Sequence, residues 1–543
     1  MNVAPPSAAG RRRARWGAWL RRCTGAAVLA TMAAACAPAS SRVAVRDASS
    51  VAGAPATVLA GDGTNATGTT NDTGGATSAP AATVVLPASD RNTWFVDPAT
   101  SGQPFPGASV AGLLTFRGSP TRSFTGAGPV PSPPVVRWAV PDGGGFCRES
   151  SEGSVTSVWC GTGWTGQPAI WRWGDRWAVA FGAYDGAVHV LDAATGEPLL
   201  APFPTGDLIK GSVSIDPQGY PLLYVGSRDN FLRVLALDRD PPLELWRLSA
   251  DDVSPTLWND DWDGSPLVLG DLLLQGGENG QFHVVKLNRR IGADGKVAVA
   301  PRLLFNAPAW DEQLLADTGS TNVSVESSVA VADHVAYTAN SGGLIVGWDL
   351  DAIAAGVRDD SVRTLRFWMG DDTDASVVVD ADGALYATAE YELSRPRADE
   401  VGQLVKLDPS RPEAPLVWSV PLRTGGVPSG AWATPALWGP LVIVATNAGE
   451  LLAFDRSSGA PRWAIELVGP TWSSPVVVDD VLIQGDCAGV LHGFALDPAA
   501  PEQPPAPSWE VTLGGCIEST PAVFGGFIVV GTRAGQVFGL AAG

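Results

Sequence analysis

Residues 472–509, WSSPVVVDDVLIQGDCAGVLHGFALDPAAPEQPPAPSW, constrain the fold of this chain more than any other stretch. Residues 474–478 are largely β-branched and apolar, Asp479-Asp480 turns the chain, and 481–484 form a second short strand. Asp486-Cys487-Ala488-Gly489 turns it again, residues 490–496 alternate, and Trp509-Glu510-Val511 supplies a fourth strand. Short strands cut by Gly, Asp and Pro predict an antiparallel meander. Such a unit cannot bury both of its faces alone, so it requires copies of itself on either side.

The copies are present. Aligned on the residue that opens each first strand, they begin at Gln167-Pro168, Ser212-Val213, Ser265-Pro266, Ser328-Val329, Ser376-Val377, Thr434-Pro435, Ser474-Pro475 and Thr520-Pro521. The second turn recurs, as in Tyr184-Asp185-Gly186, Glu278-Asn279-Gly280 and Asn447-Ala448-Gly449. Third strands end on Leu191-Asp192, Leu237-Asp238, Trp348-Asp349, Leu407-Asp408, Phe454-Asp455 and Leu496-Asp497, and outer tryptophans follow at Trp246, Trp368, Trp418, Trp463 and Trp509. The last copy lacks its tryptophan strand, while Val135-Val136-Arg137-Trp138-Ala139 precedes the first copy without a copy of its own. The expectation is an all-β, eight-bladed β-propeller of four-stranded antiparallel blades, closed by that N-terminal strand so that no sheet edge stays open.

Ahead of the ring, residues 1–36 read as an export signal. A basic start (Arg11-Arg12-Arg13, Arg21-Arg22) leads into a small apolar run, 25–35, too short to span a membrane. Ala33-Ala34-Ala35-Cys36 resembles a bacterial lipobox, with Ala33 in place of the usual Leu, and makes Cys36 the expected lipidation site. The alternative is ordinary cleavage nearby. Residues 37–93 are rich in Ala, Thr and Gly and read as a disordered tether, because they have too little apolar surface to offset their ordering entropy. The folded domain is expected over 94–543, with residues 94–134 wrapping the outside of the ring.

A net charge of −20 argues against nucleic acid or an anionic membrane surface as a partner. Four cysteines follow Cys36: Cys147, Cys160, Cys487 and Cys516. An even number in an exported domain predicts two disulfides, with three connectivities open. The blade map selects Cys147–Cys160, both in the entry to the first blade. It also selects Cys487–Cys516, because a second-to-third-strand turn and a blade-to-blade entry fall on one face. No CxxC spacing suggests zinc. Of the four histidines, His189, His283 and His492 all fall in third strands and His334 lies elsewhere, a periodicity that belongs to the fold rather than to catalysis.

Two residues before each opening stand Thr165, Lys210, Asp263, Glu326, Asp374, Trp432, Trp472 and Glu518. Each begins an innermost strand, so the eight are expected to ring the mouth of the central channel. Clustered carboxylates hold cations, and indole faces stack on planar rings. Asp260, Asp261, Asp371 and Asp372 crowd the same entries. The bland reading is that the acids cap backbone amides and the tryptophans plug the channel.

The repeat, from Ser-Ser-Pro through Leu-Asp and Thr-Gly-Glu to Trp, resembles the PQQ-type β-propeller repeat. The best matches are 190–197 and 454–463, and the resemblance spans roughly Thr115 to Leu540. It implies one of two classes. Quinoprotein dehydrogenases bind pyrroloquinoline quinone and calcium at this face, often with a pair of adjacent cysteines, which this chain lacks. Exported lipoproteins of the same repeat bind other proteins through loops on the ring. The expected function is therefore an exported, lipid-anchored, monomeric scaffold of the cell envelope. It binds a protein partner or a small ligand, uses no cofactor, has no assigned catalytic residue, and touches the membrane only through its anchor. The alternative is a dehydrogenase dependent on pyrroloquinoline quinone and calcium, with its site at the channel mouth.

Overall fold

Each aligned opening residue is followed, two positions later, by an innermost strand: Ala169–Trp173, Ser214–Ile215, Leu267–Leu269, Ala330–Ala332, Val378–Val379, Ala436–Trp438, Val476–Val478 and Ala522–Phe524. In the computed structural model, residues 85–543 are described, apart from 153–154, 164–165 and 423–428. Every innermost strand pairs antiparallel with the next in an outward meander, making eight blades. Second strands such as Leu222–Gly226, Leu272–Gly276 and Leu441–Ala445 are buried along their whole length. Their two faces lie between neighbouring blades, which explains why they read as continuous apolar runs rather than as alternating ones.

The recurring motif residues fasten blade to blade. At six steps the backbone N–H of one opening residue donates to the side-chain oxygen of the next, as in Ser265 N to Ser328 Oγ (2.9 Å), Ser328 N to Ser376 Oγ (2.9 Å) and Thr434 N to Ser474 Oγ (3.0 Å). The result is a belt of hydroxyls around the channel, and it accounts for Ser or Thr at this position. Farther out, fourth-strand tryptophans donate to the third-to-fourth-strand turn of the next blade. Trp138 Nε1 reaches Ala193 O (2.9 Å), Trp418 reaches Arg456 O (3.1 Å) and Trp463 reaches Pro501 O (3.2 Å). Asp192 and Asp455 close those turns by accepting backbone N–H groups. Gly196 and Gly459 follow at φ of +74° and +69°, where a Cβ would meet the preceding blade's indole at 2.8 Å in each case. The Asp-x-x-x-Gly turn and the tryptophan are thus two halves of one joint.

The closing strand is Pro134–Val140, antiparallel to Val537–Ala542, with Trp138 opposite Gly539. It completes the eighth blade as its fourth strand. Both expected disulfides form: Cys147 and Cys160 face each other across the hairpin Cys147–Glu152 and Val155–Cys160, and Cys487 bonds Cys516.

The segment expected to wrap the outside lies instead beneath and inside the ring. Val96 bridges Asp333 in the first turn of the fourth blade, and Trp94 Nε1 donates to Asp351 (3.0 Å). Residues 113–125 then enter the channel and are buried throughout. Gly112–Leu113 pairs with the first blade and Gly126–Ala127 with the eighth. Between them, Leu114 O accepts from Ile215 N (2.8 Å), Pro120 O from Val331 N (2.8 Å) and Thr121 O from Val379 N (2.9 Å). The inner edges of eight first strands are rows of unpaired amides and carbonyls, and a segment of the chain itself satisfies them. Arg117 and Arg122, fully buried, stand at the centre. Arg117 donates to the carbonyls of Pro475 (2.7 Å) and Pro435, and Arg122 to those of Val329 (2.8 Å) and Phe116 (2.7 Å). Burial pulls both guanidinium pKa values down to about 9. Of the stretch read as a tether, residues 37–84 and the lipobox Cys36 lie outside the described residues. Residues 85–93 carry a 3₁₀ turn, Ala88–Thr93, with Leu86 buried just before it.

Candidate functional site

One backbone bond recurs at the mouth and determines which side chains meet there. In seven blades the first residue of the second-to-third-strand turn donates its N–H to the carbonyl two residues before the ring position. The pairs are Arg228 to Leu208, Glu278 to Asp261, Ser341 to Ser324, Glu390 to Asp372, Asn447 to Gly430, Cys487 to Pro470 and Arg533 to Cys516, at 2.8–3.0 Å. Three positions per blade therefore converge: a linker residue, the ring residue two places on, and a turn residue. In the third and fifth blades all three are acidic.

In the third blade the acids are Asp261, Asp263 and Glu278, each no more than 3% exposed. They enclose the ammonium of Lys210, the ring residue of the second blade, at 3.2, 2.7 and 2.8 Å respectively. Arg228 adds a contact to Asp261 at 3.3 Å. Burial, and then Glu278, push the Asp261 carboxyl up to about 7. Burial disfavours the Lys210 charge, but its acidic neighbours outweigh that and hold its pKa well above the usual lysine value. A buried charge cluster of this kind is stable only with its cation in place.

In the fifth blade the acids are Asp372, Asp374 and Glu390, all buried, with one oxygen of each within 4.8 Å of the others. Asp374 accepts from Ser341 Oγ (2.8 Å) and Trp432 Nε1 (3.0 Å), and Glu390 accepts from Asn447 Nδ2 (3.0 Å). Burial first, and then the neighbouring carboxylates, push Asp372 and Glu390 well above the ordinary carboxylate range.

The other ring residues divide into two groups. Glu326, Asp374, Trp432 and Trp472 line one small cavity with Phe116 as part of its lining, and Glu326 accepts from Ser324 Oγ (2.9 Å). Glu518 stands apart, 3.7 Å from Arg533. The Arg533 guanidinium stacks over Tyr184 (4.7 Å) and over Trp159 (5.1 Å), which the Cys147–Cys160 hairpin carries to the mouth. Thr165 lies outside the described residues.

A family model described as outer membrane protein assembly factor BamB matches residues 410–499, the sixth blade and its flanks. The matched segment is a PQQ-like β-propeller repeat. No curated protein sequence matches the chain. The crystal structure of BamB from Moraxella catarrhalis is 14% identical, covers 67% of this chain and 81% of its own, and superposes with a TM-score of 0.35. The computationally designed protein Ika8 is 12% identical, covers 70% of this chain and 96% of its own, and has a TM-score of 0.45.

At the mouth of this chain the cavity leaves little room for a quinone. The cavity beside Phe116 has a volume of about 20 Å³, room for one water. Trp432 and Trp472 meet edge to face at 83° with centroids 6.0 Å apart, so they fill the opening rather than flank a slot. Lys210, the ring's one cation, is committed to three carboxylates.

Sequence reasoning missed the turn residues Glu278, Glu390, Arg228 and Arg533 as members of the site. Three of the four were visible at the aligned second turn. Glu390 was hidden because an insertion, with the short strand Glu390–Tyr391 and the helix Pro396–Val401, replaces the Asp/Asn-Gly turn in the fifth blade.

Proposed function

We propose that this protein is a protein-binding scaffold of the cell envelope, and that its docking surface is the loop face around the channel mouth. The observation that carries this reading is that the chain fills its own channel. With residues 113–125 and two arginines inside, recognition is left to the surface of the ring. The mouth face presents exposed apolar side chains on its linkers and insertions: Val155 and Val158 on the disulfide hairpin, Trp258, Leu393, and Val468, which is 72% exposed. Apolar residues on projecting loops are what a partner surface would bury. The match to an outer membrane assembly factor model supports an envelope partner. The signal-like residues 1–36 and the polar stretch behind Cys36 support export and lipid anchoring.

The test is site-specific photo-crosslinking in the source cell, with the photoreactive residue at Val155, Trp258, Leu393 or, as the outer-strand control, Val417. Discrete adducts from the three loop positions, competed by the purified ring and absent at Val417, are expected. Adducts only from the outer strand would move the docking surface. Calorimetric binding of one equivalent of pyrroloquinoline quinone would replace the scaffold reading with the dehydrogenase.

A further inference from the structure

The first blade departs from the bond that recurs at the mouth. Its turn residue, Tyr184, donates its N–H to Gly161 O (2.8 Å), two residues farther back than in the other seven blades. Gly161 directly follows the hairpin that ends at Cys160. Here Trp159 of the hairpin meets Tyr184 edge to face, at 89° with centroids 5.7 Å apart. The Arg533 guanidinium, from the turn of the eighth blade, covers both rings. The three side chains carry polar atoms that nothing in the chain satisfies. Trp159 Nε1, Tyr184 Oη and Arg533 Nη1 are buried without a hydrogen-bond partner among the described residues. So are the hydroxyls of Thr162 and Thr532, on the two segments that bear the stack. Tyr184 is wholly buried, and both threonines nearly so. One buried polar group without a partner is costly, and five at a single blade junction call for a ligand.

The chemistry of these groups says which kind. An indole N–H and a guanidinium can only donate, and threonine hydroxyls donate as readily as they accept. Burial raises the Tyr184 pKa to about 12, which keeps its hydroxyl protonated and able to donate. The set therefore calls for an acceptor, and the Arg533 charge calls for an anionic one. Among the described residues, the carboxylate within 4 Å of Arg533 is Glu518, at 3.7 Å from Nε, too far for a hydrogen bond. Lys210 and Arg228, the neighbouring cations, are engaged by the third-blade acids. A carboxylate matches a guanidinium in a planar fork of two bonds. A flat cofactor does not suit the place, because the edge-to-face rings leave no slot between them. Entry is from the mouth: the Arg533 side chain is 24% exposed, and Val155 and Val158 stand exposed on the same hairpin as Trp159.

We propose that Trp159, Tyr184 and Arg533 form a socket for an acidic side chain of the docking partner, whose apolar neighbours pack on Val155 and Val158. The proposal rests on the scaffold reading above and names one element of the partner's surface, an Asp or Glu flanked by apolar residues. The hairpin supplies the apolar contact, and the junction of the eighth and first blades supplies the donors.

Two probes test the socket without the partner: the blocked peptides acetyl-Val-Asp-Val-amide and acetyl-Val-Asn-Val-amide, titrated calorimetrically into the full chain. The aspartyl peptide is expected to bind with a dissociation constant of about 1 mM or tighter, and the asparaginyl peptide at least roughly tenfold more weakly. Arg533→Met and Tyr184→Phe should each weaken the aspartyl peptide by at least roughly tenfold. Tyr184→Phe removes a hydroxyl that has no partner in the free chain, so its urea midpoint should stay unchanged or rise. That readout separates binding from a structural role, and it keeps the test decisive if Arg533→Met fails to fold. The socket is overturned if the aspartyl peptide does not bind at about 10 mM, an order of magnitude above the expected constant. It is also overturned if both peptides bind equally, or if inorganic phosphate binds more tightly than the aspartyl peptide. A lower urea midpoint in Tyr184→Phe with peptide binding intact would assign the hydroxyl to ordered water and overturn it too. In the source cell, Arg533→Met should abolish the adduct from Val155 and spare those from Trp258 and Leu393. Adducts unchanged at all three positions overturn the socket and leave the scaffold. No adduct at any position overturns the scaffold reading, and with it the partner, while the peptide titration still decides whether the socket binds a carboxylate.

Discussion

Replacing Lys210 with Met tests the charge logic of the mouth directly. The substitution keeps an unbranched apolar stem and removes only the ammonium. Lys210 lies 2.7 Å from Asp263, 2.8 Å from Glu278 and 3.2 Å from Asp261, three side chains no more than 3% exposed. Solvent cannot take over for the lost charge at that depth, and Arg228 reaches only Asp261. Removing one partner of a buried ionic cluster typically costs about 3–5 kcal/mol. The expected result, in chelator and at neutral pH, is a loss of about that size, read as a lower urea midpoint with an unchanged slope. Adding Asp263→Asn to the Met variant should recover at least about 1 kcal/mol, since one uncompensated charge disappears. A loss below about 1 kcal/mol would place Lys210 among ordinary surface pairs and refute the reasoning. So would a double variant no more stable than the single one.

Other perturbations probe other parts of the ring. His283 is fully buried, and burial outweighs the neighbouring Gln275 and Gln281 backbone to pull its pKa down to about 4. A depressed histidine contributes stability that is present above its unfolded value near 6.5 and lost as pH falls toward 4. His283→Phe should therefore flatten the stability profile across that window, by about 3 kcal/mol, in denaturant titrations at pH 7 and pH 4. Cys487→Ser with Cys516→Ser opens a link across 29 positions and should cost about 3–4 kcal/mol in urea unfolding. Gly539→Ala places a Cβ 2.0 Å from the Trp138 indole, and the strand pairing that closes the ring should weaken by roughly 1–3 kcal/mol, visible in tryptophan fluorescence during unfolding. Cys36→Ser should move the protein from the membrane fraction to the soluble one, and an unchanged membrane fraction would remove Cys36 as the anchor.

Much of the architecture was legible because it is periodic. A hydroxyl two residues before seven of the eight inner strands, a capped turn with Gly, and a tryptophan one strand later are local requirements of one joint, so they recur in register along the chain. The same register located the missing fourth strand at Trp138 and paired Cys487 with Cys516. The candidate ring was legible for the same reason, and the structure brings Lys210 to Asp263, and Glu326, Asp374, Trp432 and Trp472 to one cavity. What broke the period was not legible. The insertion after Glu390 concealed that residue, and residues 113–125 carry no repeat at all. Their Thr, Ser and Pro content looks like a linker's. Only the closed ring reveals why they lie inside, because its eight inner edges present backbone groups that an outside strap would leave unpaired.

The sequence by itself therefore determined the repeat, the number of blades, the closing strand and the one ring residue that each blade sends to the mouth, since each follows from contacts within a blade or with its neighbour. The tertiary structure alone decided which of those side chains share the Lys210 ammonium and which meet another acid instead. That depends on a turn and a linker meeting across an insertion, and on what the preceding blade places between them, a lysine at 210 and a glutamate at 326.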